Sequence, residues 1–223
     1  MFIPIDKIQT ASHILLTVRG DNFANASVIY SYILTQHKKV SISYKEVIEN
    51  KLSFLPWFSK LKEVAPSSAD FVLDVTNDTK NLFLFLKENK VKINQKMATA
   101  LYAGVLKQYD FFTSKQCDGT IFAIASELIS LKAEYKTCHD YLQKRVSLSS
   151  LRLKTILLKS LLLKDDATKA YLSICDEDMK TSGATLEDAY QIMREVLNLV
   201  NVSEVLLVKT DENSKIIKNL KEI

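Results

Sequence analysis

Asp21 is the single carboxylate in a loop whose surroundings suit binding. The run His13–Val18 is apolar enough for a buried strand, and Arg19-Gly20-Asp21-Asn22 is a short polar loop. Small residues, Ala24 to Ser27, then open an amphipathic helix with Val28, Ile29, Tyr32 and Ile33 on its apolar side. Strand, turn and helix in that order bring backbone N–H groups and a helix dipole to one point, a common setting for an anion or a metal. A lone aspartate there has two readings: a metal ligand, or a turn residue accepting from nearby N–H groups.

The second feature is basic. Arg145, Arg152 and Lys159 recur every seven residues, and the segment from Lys144 to Lys164 carries no acidic residue. In a helix the three share a face. That face is either a stripe lining a cleft for a phosphodiester backbone or a solvated surface whose lysines near the C-terminus answer the helix dipole. Tyr109, Phe111 and Phe112 interleave with Lys107 and Asp110. They either stack on bases or fill a core.

Other chemistries are weakly represented. Cys117, Cys138 and Cys175 are far apart with no CxxC pair, so no structural zinc site is expected and a reducing compartment is the simpler reading. His139 follows Cys138 on a helical pattern, which points the two side chains in different directions and argues against a nucleophile pair. The four glycines are dispersed, which excludes a phosphate loop or dinucleotide fingerprint, since both need several close together.

Composition sets the class. Apolar residues make up 47% and charged residues 25% of 223 positions, a globular profile with room for one large domain or two small ones. The net charge of +4 permits a polyanionic partner without requiring one. The N-terminal MFIPIDKIQT lacks a basic leader pattern, and no apolar run is long enough to cross a bilayer, so a cytoplasmic protein without membrane partners is expected.

These residues must be positioned by alternating strands and helices in the first half, an α/β pattern with a parallel sheet. Strands are predicted at Ile14–Val18, Val40–Ser43 and Phe71–Val75. Helices are predicted at Ala24–His37, Trp57–Val64, Asn81–Glu88, Gln95–Lys107 and Gly119–Lys132. Glu134 to Lys164 reads as helix with a break near Ser147, where Ser149 can cap a linker helix apolar on more than one side, buried by two domains. The remainder predicts a small mixed α+β unit: a strand at Ala170–Cys175, a short helix within Asp176–Gly183, a helix Leu186–Val200 capped by Thr185, and strands Val202–Val208 and Ile216–Leu220 around the turn Asp211–Ser214. The expected domains are 1–146 and 147–223.

Four stretches resemble a known family: the loop after the first strand, Phe54-Leu55-Pro56-Trp57, ATALYAGVLKQYDFFTSKQCDGTIFAIASELISLK (98–132) and SLSSLRLKTILLKSLLL (147–163), followed by AYLSICDEDMKTSGATLED. Together they are similar to the DHH/DHHA1 phosphoesterases of the RecJ-like, oligoribonuclease type. The resemblance implies a parallel-sheet N-terminal DHH-like domain, a linker helix and a small DHHA1-like domain. Enzymes of this family hold two divalent metals, usually manganese. The family's HxxPDxDxxGS loop falls here on Thr17 for the histidine, Asp21 for the first aspartate, Phe23 for the second, and Ala26-Ser27 for the GS pair. Asp74 matches the next metal-binding aspartate, and a later one falls on Gln108. The DHH triplet is missing. Lys221 stands where the substrate-binding arginine of the last strand would be, without the GGGH loop beyond it, so a truncated DHHA1-like domain is expected.

Two-metal hydrolysis needs several anionic ligands converging on ions about 3.5–4 Å apart. Asp21 and Asp74 alone suffice for one weak manganese or magnesium site at most. The expectation is therefore a catalytically inactive relative, a pseudoenzyme without a resident cofactor, that binds a protein or a nucleotide-like partner, with a homodimer compatible. A manganese-dependent phosphodiesterase acting on nucleotides or short oligonucleotides is the enzymatic alternative. A non-catalytic nucleic-acid binder using Arg145, Arg152, Lys159 and Lys221 is the third reading.

Overall fold

The computed structural model describes residues 4–46, 48, 50–144, 146–211 and 215–221. The chain divides into two compact units, 1–145 and 146–223. The architecture is α/β, with a parallel sheet in the first unit and a mixed sheet in the second.

In the first unit, helix α1 (Ile5–Thr10) leads into strand β1 (His13–Val18), whose six side chains are all buried. An unbroken apolar strand of this kind belongs in the middle of a parallel sheet, covered on both faces. Helix α2 (Phe23–Thr35) follows, then β2 (Lys39–Tyr44), the two-residue β3 (Leu61–Lys62) and β4 (Phe71–Asp74). The order is β3-β2-β1-β4, all parallel, with Thr17 of β1 between Ser43 and Asp74 in register. Four helices complete the unit: α3 (Thr79–Glu88), α4 (Gln95–Gln108), α5 (Gly119–Ser130) and α6 (Tyr135–His139), the last running into a π-helical turn, Asp140–Lys144. Asp78, Asn94 and Asp118 accept N–H bonds at the starts of α3, α4 and α5, removing orphan donors there. Helix α2 is buried from Phe23 to Ile33 and packs on α4.

The second unit begins with α7 (Leu148–Lys159), then β5 (Leu162–Lys164), β6 (Lys169–Ile174), α8 (Asp176–Ser182), α9 (Leu186–Leu197), β7 (Glu204–Lys209) and β8 (Lys215–Lys221). The sheet order is β5-β6-β7-β8, with β6 and β7 parallel and both outer pairs antiparallel. Strand β6 alternates buried and half-buried positions, the period-2 pattern of a sheet with one covered face. Helix α8 ends at Gly183, whose φ of 67° is the left-handed cap that glycine adopts without steric cost. Thr185 and Asp188 form a reciprocal capping box at the start of α9. Leu153 and Leu157 of α7 pack with Leu172, Ile192, Met193 and Leu207 into a separate core.

Three local expectations are corrected. The segment predicted as a helix over Trp57–Val64 is a 3-10 turn, Phe58–Lys60, followed by β3, because β2 offers it an edge to pair with. Leu162–Lys164 is not the end of a helix; it pairs antiparallel with β6. The cap of α7 is Ser147, which accepts from the Ser150 N–H at 2.9 Å, rather than Ser149. That helix also carries exposed Leu148, Leu151 and Leu158, so it is not buried on all sides. Residues Glu212 to Ser214 of the predicted turn lie outside the described residues. Among the described residues no helix is long and apolar enough to cross a membrane.

Candidate functional site

Parallel sheets present their ligands at the carboxyl ends of the strands. In the first unit that edge is formed by the ends of β1, β2 and β4. Thr17 is buried, and its hydroxyl donates to Oδ1 of Asp74, its register partner on β4. The same Oδ1 lies 3.4 Å from the Lys45 ammonium. Lys45 directly follows β2, and its backbone N–H continues the ladder by donating to the Val18 carbonyl at 3.0 Å. The lysine therefore reaches over β1 to the strand on its far side. The Thr17 hydroxyl first, then Lys45, with a contribution from the charge of Arg19, hold the Asp74 carboxyl below the usual carboxylate range.

The loops leaving β1 and β4 are tied together. The Val75 N–H donates to the Thr17 carbonyl, the Asn22 side-chain amide to the Val75 carbonyl at 2.8 Å, and the Asn25 amide to the Thr76 carbonyl at 2.9 Å. The Thr79 hydroxyl donates to Asn25 Oδ1 at 2.9 Å, and the Thr79 N–H donates to Gln108 Oε1 at 2.8 Å. Asn25 and Thr79 are both buried. Buried amides and hydroxyls must be satisfied, and here they satisfy one another across α2, α3 and α4.

Phe23, at the position of the missing second aspartate, is wholly buried and packs edge-on against Phe58 with centroids 5.3 Å apart. Gln108, at the position of the later aspartate, holds the first turn of α3. The backbone of Asp21 lies in a 3-10 turn, Gly20–Asn22; its side chain lies outside the described residues, and so does Arg145. Arg152 and Lys159 are exposed on α7. Lys221 is on β8 in an ion pair with Glu204 at 3.4 Å, beside the Asn219 amide that binds the same carboxylate.

Other histidine and aromatic side chains of this unit make internal contacts. His13 is buried with its two ring nitrogens against Ser68 and Ser41, at 3.0 and 2.8 Å. Its backbone N–H and that of Ser12 both donate to Asp70. Tyr109 is buried, and Phe111 and Phe112 pack against the core, with Phe112 stacked on Phe122. Trp57 stacks on Tyr30 and donates to Ser31.

Among the described residues the donors at this edge are too few for a pair of divalent ions. A hard cation takes about six oxygen or nitrogen ligands, several anionic. Here the Asp74 oxygen already accepts from a hydroxyl and faces an ammonium. Among the described residues no three His, Cys, Asp or Glu side chains are grouped to hold a metal. Sequence reasoning passed over Lys45, Asn25 and Thr79. Lys45 follows a predicted strand, but only the strand order places it beside Asp74.

An exopolyphosphatase-related protein from Bacteroides fragilis has a similar structure, with a TM-score of 0.74 at 13% identity over 95% of this chain and 79% of that one. The two chains share an overall fold, an α/β unit with a parallel sheet and a second unit with a mixed sheet on the side of this chain. A putative family II inorganic pyrophosphatase from Methanococcus jannaschii aligns over 88% of this chain and 83% of that one at 12% identity, with a TM-score of 0.43. No protein-family model matches the chain, and no curated protein matches it. At 13% identity the first likeness speaks for the fold and not for its chemistry.

Proposed function

We propose that this chain is a DHH-type phosphoesterase scaffold without hydrolytic turnover, serving as a binding or regulatory module for a nucleotide-like anion or a partner protein. The observation that carries this reading is the state of Asp74. Its carboxylate is bound by Thr17 and paired with Lys45 at the strand ends where a metal would need free anionic oxygens. Phe23 in the core and Gln108, whose amide oxygen is taken by the Thr79 N–H of α3, support it, because each puts an uncharged side chain at a position where the resembling motif has an aspartate. No resident metal is required.

The test is turnover by the purified protein with manganese, on bis-p-nitrophenyl phosphate and on a short oligoribonucleotide. The expected result is no hydrolysis above the buffer rate. Manganese-dependent hydrolysis that disappears in Asp74→Asn would establish the enzymatic alternative instead.

Arg152 and Lys159 favour a second reading, binding of a single-stranded nucleic acid without catalysis. Both are exposed, seven residues apart on one helix, and neither has an ion-pair partner among the described residues. Such binding would weaken steeply with salt, and Arg152→Ala/Lys159→Ala would flatten the slope by about two phosphate contacts.

A further inference from the structure

The strand ends of the first unit hold a cation of their own. Three observations define it. The Thr17 hydroxyl and the Lys45 ammonium converge on the same oxygen, Oδ1 of Asp74. Lys45 is anchored at its backbone to the last residue of β1, so its side chain starts beside that strand, within reach of Asp74. Both partners are substantially exposed, with side chains 50% and 69% accessible, so the pair contributes little to stability. A charge set across a strand on a fixed backbone, with little to gain in stability, has an electrostatic consequence that outlasts its structural one.

We propose that Lys45 is a built-in counter-ion that takes the place of a divalent cation at Asp74 and excludes such cations from the carboxyl edge of the sheet. This rests on the non-hydrolytic reading above and gives it a physical agent. A divalent ion binds a carboxylate oxygen at about 2.0–2.6 Å. At Oδ1 it would sit within a few ångströms of the ammonium, against a like charge, and would have to displace the Thr17 hydroxyl as well. Arg19, whose charge also acts on Asp74, adds to the repulsion. A unit charge about 5 Å from a divalent ion, even in a water-like dielectric, changes its affinity by roughly tenfold.

The experiment measures free manganese by electron paramagnetic resonance during titration of the full chain. Wild type is compared with Lys45→Gln, Lys45→Ala and the charge-retaining Lys45→Arg, and with Lys45→Gln/Asp74→Asn. Unfolding followed by Trp57 fluorescence in the presence of a chelator checks that each variant is folded. Lys45→Gln and Lys45→Ala should bind manganese about tenfold more tightly than wild type. Lys45→Arg should behave as wild type, and the added Asp74→Asn should abolish the gain. Equal affinity in wild type and both neutral variants would overturn the proposal, and so would a gain that survives Asp74→Asn. Hydrolysis by wild type would defeat the non-hydrolytic reading by a separate readout, while equal manganese affinities would defeat only the role given to Lys45.

Discussion

Gly104 lies inside α4 where that helix meets the buried pair Asn25 and Thr79, and replacing it by alanine should cost stability despite the better helix former. A Cβ built there would stand 2.7 Å from Thr79 Oγ1, 3.1 Å from Thr79 Cγ2 and 3.1 Å from Asn25 Oδ1. Thr79 is short and sits in the first turn of α3, held through its N–H by Gln108, so it cannot swing aside. Either α3 shifts from α4 or the Thr79–Asn25 hydrogen bond breaks. Overpacking of this kind costs about 1–3 kcal/mol, and a buried polar group left without its partner costs about 1–3 kcal/mol. The helix propensity of alanine over glycine offsets about 1 kcal/mol. Whichever of the two occurs, the net loss is about 1 kcal/mol, which at an m-value of about 2 kcal/mol/M lowers the urea midpoint by about 0.5 M. Trp57 is the sole tryptophan and lies in the first unit, stacked on Tyr30, so its fluorescence follows this unit alone. Gly119→Ala is the control, because an added Cβ there meets nothing within 4 Å. A Gly104→Ala midpoint equal to or above that of the control would refute the reasoning and with it the tightness ascribed to the Asn25–Thr79 network.

Three further outcomes are expected. Thr17→Ala removes the main cause of the depressed Asp74 pKa, so carboxyl NMR titration should find Asp74 moved up toward the ordinary aspartate value; identical titration in both proteins would count against the Thr17 bond. Because the folded-state pKa is lowered, the stabilising effect of Asp74 is present above its unfolded pKa and is lost as pH falls through the folded value, so the variant should lose less stability than wild type on acidification below about pH 4. Burial pushes the Cys138 thiol up to about 12, so iodoacetamide at pH 8 followed by peptide mass spectrometry should leave Cys138 unmodified in the native protein while alkylating the partly exposed Cys117 and Cys175; equal labelling of all three would contradict its burial. Leu157 is fully buried and its neighbour Leu158 is 43% exposed, so Leu157→Ala should cost about 2–5 kcal/mol and Leu158→Ala under about 0.5 kcal/mol, read from hydrogen exchange of α9 and β6 amides; similar losses would mean that α7 is oriented otherwise.

The legible parts of the fold are those with a local cause. The strand at His13–Val18, the cap at Thr185 and the helix starts after Asn94 and Asp118 follow from residues a few positions apart, because hydrophobic period and capping are properties of short segments. The illegible parts depend on a distant partner. Leu162–Lys164 reads along the sequence as the end of a helix, and antiparallel pairing with β6 makes it a strand instead. Ser149 reads as the cap of α7 along the sequence, whereas the helix starts after Ser147, which accepts the Ser150 N–H.

The candidate site divides along the same line. What residue identity alone determined was a deficit: Thr17, Phe23 and Gln108 stand where the resembling motif has ligands, and no spacing elsewhere compensates. What only the tertiary structure decided was how the surviving groups are used. Lys45 meets Asp74, 29 residues away, because β2 and β4 flank β1 in one register. Asn25, Thr79 and Gln108 meet because α2, α3 and α4 converge beside the loops leaving β1 and β4. A ligand deficit can be counted along a chain, but a hydrogen bond or an ion pair between remote residues exists only once strand order and helix packing have set the distance.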